Sequence, residues 1–109
     1  MGKVIGILPV RLKPGVSQEE FERFTREVVY PATQRSDISF SLLKGERGPR
    51  AGQYVLMAEI SDIAARDAYW PHIDEPSPAG QQLLGDWAEQ WFAFVEHEDA
   101  TTDYVVINR

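Results

Sequence analysis

Between Gly52 and Glu75 the chain reads GQYVLMAEISDIAARDAYWPHIDE and passes from a repeat of two to a helical repeat. Tyr54, Leu56, Ala58 and Ile60 alternate with Val55, Met57 and Glu59. A strand that is apolar on nearly both faces has to be covered on both, which excludes a sheet with one solvated side. Ser61 or Asp62 then caps a short helix rich in good helix formers, Ala64, Ala65 and Ala68. Pro71 stops that helix. Tyr69, Trp70, His72, Asp74 and Glu75 collect at its end, bringing a phenol, an indole, an imidazole and two carboxylates to one place.

The first strand repeats the double apolar character, with Val4, Gly6, Leu8 and Val10 on one face and Ile5, Ile7 and Pro9 on the other. Pro9 has no amide to donate, so its stretch is expected near an edge or a break in the ladder. After the turn at Lys13-Pro14-Gly15, Ser17 and Glu20 form the capping box of a first helix whose buried stripe is Phe21, Phe24 and Val28. Pro31 is expected to end or kink it. A second strand starts near Ile38, and Gly45, Gly48, Pro49 and Gly52 connect it to the third. Leu83, Leu84, Trp87, Trp91, Phe94 and Val95 predict one amphipathic helix from about Gln81 to Glu96, and Tyr104 to Ile107 predict the last strand.

Strand, helix, strand, strand, helix pair, strand is the order of a ferredoxin-like split βαβ: an α+β fold with a four-stranded antiparallel sheet and its helices on one face. The 109 residues, 43% of them hydrophobic, suit one domain spanning 1–109. Ile5, Ile7, Val55, Met57, Val105 and Ile107 then have no helix to cover them, so a second copy of the sheet is the expected cover and a twofold homodimer through the sheet face follows. A net charge of −6 argues against nucleic acid and against an anionic membrane surface. The absence of cysteine removes disulfides, thiolate metal sites and cysteine nucleophiles. Arg11 and Lys13 after the apolar run Val4–Val10 do not fit a signal peptide, and a cytoplasmic location is expected.

Arg11-Leu12-Lys13-Pro14-Gly15 after the first strand, Glu59-Ile60-Ser61-Asp62 after the third, and above all Asp67-Ala68-Tyr69-Trp70-Pro71-His72 carry a resemblance over nearly the whole chain. The sequence resembles the dimeric α/β-barrel superfamily, and within it the stress-responsive A/B-barrel (Dabb) domain. Polyketide cyclases of that family place an acid–base site here, and the resemblance implies Tyr69 as its tyrosine and His72 as its first histidine. Glu75 stands where the second histidine falls, and Gly6 where the first-strand histidine falls.

The candidate catalytic pair is therefore Tyr69, as a phenolic donor, and His72, as a proton acceptor. The structural alternative has Tyr69 filling core and His72 capping the last carbonyls of its helix. A ligand pocket is expected between the helices and the sheet face carrying Gly6, Leu8, Tyr54, Leu56 and Ala58, with Trp70 and Glu75 beside it. His72, Asp74 and Glu75 are too weak a pattern to hold a metal, and neither metal nor cofactor is expected. His97, among Glu96, Glu98 and Asp99, is expected on the surface. Glu59 is a carboxylate on a largely buried strand, expected to pair with Arg66 or an arginine of the second subunit, or to lie near the strand's exposed end. Three functions remain open: a small homodimeric stress-responsive protein binding a small apolar or aromatic molecule, a cofactor-independent cyclase, isomerase or monooxygenase, and a haem-binding or haem-degrading protein.

Overall fold

The structure, a computed structural model, describes residues 2–73, 75–96 and 100–107. The expectations for Asp74 and His97 fall outside them. Four strands, β1 (Val4–Val10), β2 (Ile38–Lys44), β3 (Tyr54–Ile60) and β4 (Thr102–Val105), form one antiparallel sheet in the order β2-β3-β1-β4. This is the ferredoxin-like arrangement that the element order predicts.

Register fixes what each face carries. Val4 lies opposite Ile60 and Val10 opposite Tyr54, while Ile38 and Lys44 of β2 meet the same two residues of β3. The even-numbered positions of β1 and β3 therefore face the helices, and Val4, Val10, Tyr54, Leu56 and Ile60 are buried there. Ile5, Ile7, Val55 and Met57 point the other way and are half-buried. Glu59 shares that outer face, between Ser39 and Ile5, and Arg66 does not pair with it. Pro9 lies beyond Ile7, the last β1 residue paired with β4, so its stretch does have an open side.

The last strand sits two residues earlier than predicted. β4 ends at Val105, after which the Val106 amide still donates to the Lys3 carbonyl at 3.1 Å. Pairing of Val4 with Val105 puts Val105 on the helix side, not the outer face, and Tyr104 takes the outer position opposite Ile5. Ile107 lies outside the strand and is exposed. The apolar run misled because a short edge strand takes its register from its neighbour rather than from its own hydropathy.

Ser17 caps α1 (Gln18–Phe24) by accepting the Glu20 amide at 3.2 Å. The helical path does not stop at Pro31: a π-helical turn at Thr25–Val29 leads into α2 (Tyr30–Thr33), with Pro31 in its first turn. The buried row is Phe21, Thr25, Val29 and Thr33, one every four residues, while Phe24 and Val28 are half-buried. Both threonine hydroxyls donate to the carbonyl four residues back, Thr25 to Phe21 at 2.9 Å and Thr33 to Val29 at 2.7 Å, which lets polar residues serve as core. The Tyr30 hydroxyl accepts the Leu42 amide at 2.8 Å and ties this segment to β2.

Asp62, rather than Ser61, caps α3 (Ile63–Tyr69), its Oδ1 accepting the Ala65 amide at 2.7 Å. The predicted helix over 81–96 is two helices, α4 (Pro78–Leu84) and α5 (Trp87–Phe94). Gly85 breaks them with φ of +52°, a conformation open to glycine and costly for other residues. After β1, Leu12 bridges Val95 and the Lys13 amide donates to Phe94 at 2.9 Å, which fastens the end of α5 to the sheet.

Candidate functional site

Two clusters fill the space between sheet and helices. Phe21, Tyr54, Trp87 and Trp91, with Val10, Val29, Leu56 and Val95, make the larger one, and Val4, Ile38, Ile60 and Leu83 the smaller. Both contribute walls to a cavity of about 210 Å³. Its floor is the helix-facing side of the sheet: Gly6 and Leu8, Ile38 and Phe40, Leu56, Ala58 and Ile60. Trp87, Ala88 and Trp91 of α5 form the opposite wall, and Trp70 and Ile73 close the side after α3. All three tryptophans of the chain thus line it. Trp87 and Trp91 meet edge to face, centroids 6.0 Å apart, and the Trp87 indole donates to the Leu83 carbonyl at 2.9 Å, so its polar atom is already used.

The polar rim comes from Arg66, Thr101 and Asp103. The Arg66 guanidinium reaches from α3 to β4, donating through Nη1 to Asp103 Oδ2 at 2.9 Å and through Nε to Asp67 Oδ1 at 2.8 Å. These two bonds, Asp67's first, push the Arg66 pKa upward. Asp103 lies opposite Gly6 in the ladder, and a Cβ on Gly6 would stand 3.1 Å from Asp103 Oδ1. The missing side chain at position 6 therefore makes room for a carboxylate from the neighbouring strand.

Of the residues singled out from sequence, Gly6, Leu8, Leu56, Ala58 and Trp70 line this cavity. Tyr54, Tyr69, His72 and Glu75 do not. Tyr69 packs against the Val4–Ile38–Ile60–Leu83 cluster, and its hydroxyl donates to Asp37 Oδ1 at 2.9 Å. Burial first, then Asp37, raises its pKa, which holds the phenol in its neutral form. His72 is exposed: Pro71 turns the chain outward, and the Glu75 amide donates to the His72 carbonyl at 3.1 Å across a tight turn, with Glu75 exposed as well. The expected acid–base pair is thus divided between a half-buried phenol already bonded to Asp37 and an imidazole on the surface. No group of three or more histidine, aspartate or glutamate side chains is placed to hold a metal among the described residues.

Tyr54 belongs to a separate cleft, bounded by Glu22, Thr25, Arg26, Tyr30, Leu42 and Lys44. Its hydroxyl donates to Glu22 Oε2, and Lys44 Nζ stands 3.6 Å from the same oxygen. Burial, then the Glu22 carboxylate, push the Tyr54 phenol up to about 12. Glu22 is held below the usual carboxylate range by that hydrogen bond, with Lys44 adding to it and burial opposing. A phenol with an unfolded pKa of about 10 and a raised folded value stabilises the fold fully below pH 10. That contribution disappears as pH climbs from 10 towards 12. Absorbance at 295 nm is expected to show one of the four tyrosines ionising last. The stability of Tyr54→Phe should lack the wild type's added fall over this interval. Equal alkaline slopes would remove Tyr54 as its source.

The layout of one antiparallel sheet, helices on one face and a lined gap between them defines a ferredoxin-like α+β protein. The sequence profile of the family described as REDY-like protein HapK matches residues 4–105, and the chain belongs to that family. No curated protein matches the chain. A Dabb family protein with a ferredoxin-like fold from Mesorhizobium loti superposes with a TM-score of 0.63 at 19% identity, over 99% of this chain and 100% of that one. A dimeric protein of unknown function and ferredoxin-like fold from Bacteroides fragilis gives 0.55 at 19% identity, over 97% and 98%. The fold shared with both neighbours is the ferredoxin-like one.

Among the described residues no helix is long and apolar enough to cross a membrane. Arg66, Asp103 and Thr101 are parts of the site that the sequence reading missed. Arg66 carried one signal, an arginine on the helix beside the chosen motif. Asp103 was hidden by the misplaced start of β4.

Proposed function

We propose that this protein is a small homodimeric, stress-responsive A/B-barrel-like protein that binds a small apolar or aromatic molecule between its sheet and helices. The observation that carries this reading is the cavity of about 210 Å³ with apolar walls and three tryptophans. An apolar cavity of about 150 Å³ already holds benzene, whereas drug-sized ligands call for roughly 300–1,000 Å³, so the fitting occupant has one or two rings. Haem fits poorly, because the space is too small and no histidine, methionine or tyrosine among the described residues lines it. Acid–base catalysis by Tyr69 and His72 has less support than binding, since both stand outside the lining.

The dimer reading is supported by the outer face, where Ile5, Ile7, Val55 and Met57 are only half-buried, and Leu43 and Tyr104 exposed, in the single chain. It is also supported by the Bacteroides fragilis protein of the same fold being described as dimeric. The test is a titration of the protein with naphthalene, followed by tryptophan fluorescence, on material whose mass is set by sedimentation. Wild type is expected to sediment as a dimer at micromolar concentration and to show saturable binding. Ala88→Phe, which pushes a ring into the cavity, should stay folded and lose it. Unchanged binding in Ala88→Phe would refute the cavity as the site, and a purely monomeric protein would refute the dimer.

A further inference from the structure

The geometry points to Asp103, clamped by Arg66 above Gly6, as the hydrogen-bond acceptor that selects the cavity's ligand: a one- or two-ring aromatic carrying an O–H or N–H donor, and not an anion. This rests on the cavity reading above and deepens it.

An ion-paired carboxylate offers two oxygens with about four lone-pair directions and no donor. Asp103 Oδ2 takes the Arg66 bond at 2.9 Å, whereas Oδ1 has no hydrogen-bond partner among the described residues. That free oxygen lies over Gly6, on the cavity side of the sheet. The side chain is 20% exposed, so water still reaches it when the cavity is empty. A ligand that enters displaces this water. With a hydroxyl or ring N–H aimed at Oδ1 it replaces the lost bond; without one it leaves a charged acceptor uncovered beneath an apolar ring.

The remaining polar groups narrow the class. Arg66 divides its donors between Asp67 and Asp103, so one positive charge faces two negative ones at the rim. A ligand carboxylate there would meet a guanidinium whose charge is already matched twice over, and a net negative field. The Trp87 N–H is spent on Leu83. A hydrogen bond to a charged acceptor sets the discrimination between donor and non-donor at about 10- to 100-fold.

Isothermal titration of the full chain with 2-naphthol, naphthalene and 2-naphthoate tests this. Wild type is expected to bind 2-naphthol about 10- to 100-fold more tightly than the other two. Asp103→Ala should reduce 2-naphthol to the affinity of naphthalene and leave naphthalene itself unweakened. Since Asp103 also joins β4 to α3, a second variant, Gly6→Ala, keeps the ion pair and sets a methyl 3.1 Å from Oδ1. It should weaken 2-naphthol more than naphthalene. Equal wild-type binding of 2-naphthol and naphthalene, or a preference that survives both substitutions, overturns the acceptor role while the cavity reading stands. Absence of binding by all three compounds, or binding that persists in Ala88→Phe, overturns the cavity reading and the inference with it.

Discussion

Phe21→Ala is expected to destabilise the protein by about 3–5 kcal/mol, a large fraction of what holds a domain of this size together. Phe21 has no solvent-accessible surface and stands where three aromatic contacts converge. Its ring meets Tyr54 edge-on at 5.4 Å, and Trp91 and Phe94 at 5.1 and 5.7 Å. Truncation removes the side chain that joins α1 to β3 and α5 at once. The rigid rings around it would collapse into the gap only in part, which puts this site at the costly end for large-to-small changes. Domains of this size hold only about 5–15 kcal/mol in total. Urea unfolding should show the midpoint falling steeply with the slope unchanged. A loss below about 1 kcal/mol would mean that the cluster is not the centre of the core.

Gly80→Ala should be nearly as damaging, although it adds one methyl group. Gly80 is buried in the first turn of α4, and a Cβ there would lie 2.3 Å from the Tyr69 carbonyl oxygen and 2.9 Å from Pro76 Cβ. The first contact is with backbone, which no rotamer change relieves. That same carbonyl accepts the Ser77 amide at 2.9 Å, so moving it also disturbs the approach to α4. Overpacking of this kind costs about 1–3 kcal/mol and more where backbone must move. The end of α3 would shift and take Trp70, a wall of the cavity, with it. A lowered melting temperature together with weaker naphthalene binding is the expected result. An unshifted melt would show that the two helices have slack the close approach does not suggest.

How far the sequence revealed this fold depended on the kind of signal. The strands were legible because β1 and β3 alternate over seven residues each, and a slip of one would have exchanged both faces. The same alternation located Gly6, Leu8, Leu56 and Ala58 on the cavity floor. The buried row of the first helical segment was not legible, since two of its four members are threonines that become core only through bonds to their own backbone. Gly85 followed by Asp86 did mark the break between α4 and α5, but the apolar spacing on either side outweighed it. Asp103 and Arg66 meet across 37 residues, and nothing local in either segment encodes that pairing. Tyr69 and His72 were neighbours in a motif, yet the turn imposed by Pro71 parts them, leaving one half-buried against the core and the other exposed.

The π turn at Thr25–Val29 means that the first helical segment carries a surplus residue. Its sheet-facing row, Phe21, Thr25, Val29 and Thr33, steps by four each time, whereas an α-helix at 3.6 residues per turn keeps a face by mixing steps of three and four. Taking out Glu27, which is exposed, would turn the spacing into four, three, four, the stripe of an ordinary helix. The same shortening would return Pro31 to a regular turn, where its ring crowds the carbonyl four residues back. The extra residue and the proline therefore form one compensating pair: a shortened chain tolerates the loss when Pro31 goes too, and the helix keeps its phase along the sheet.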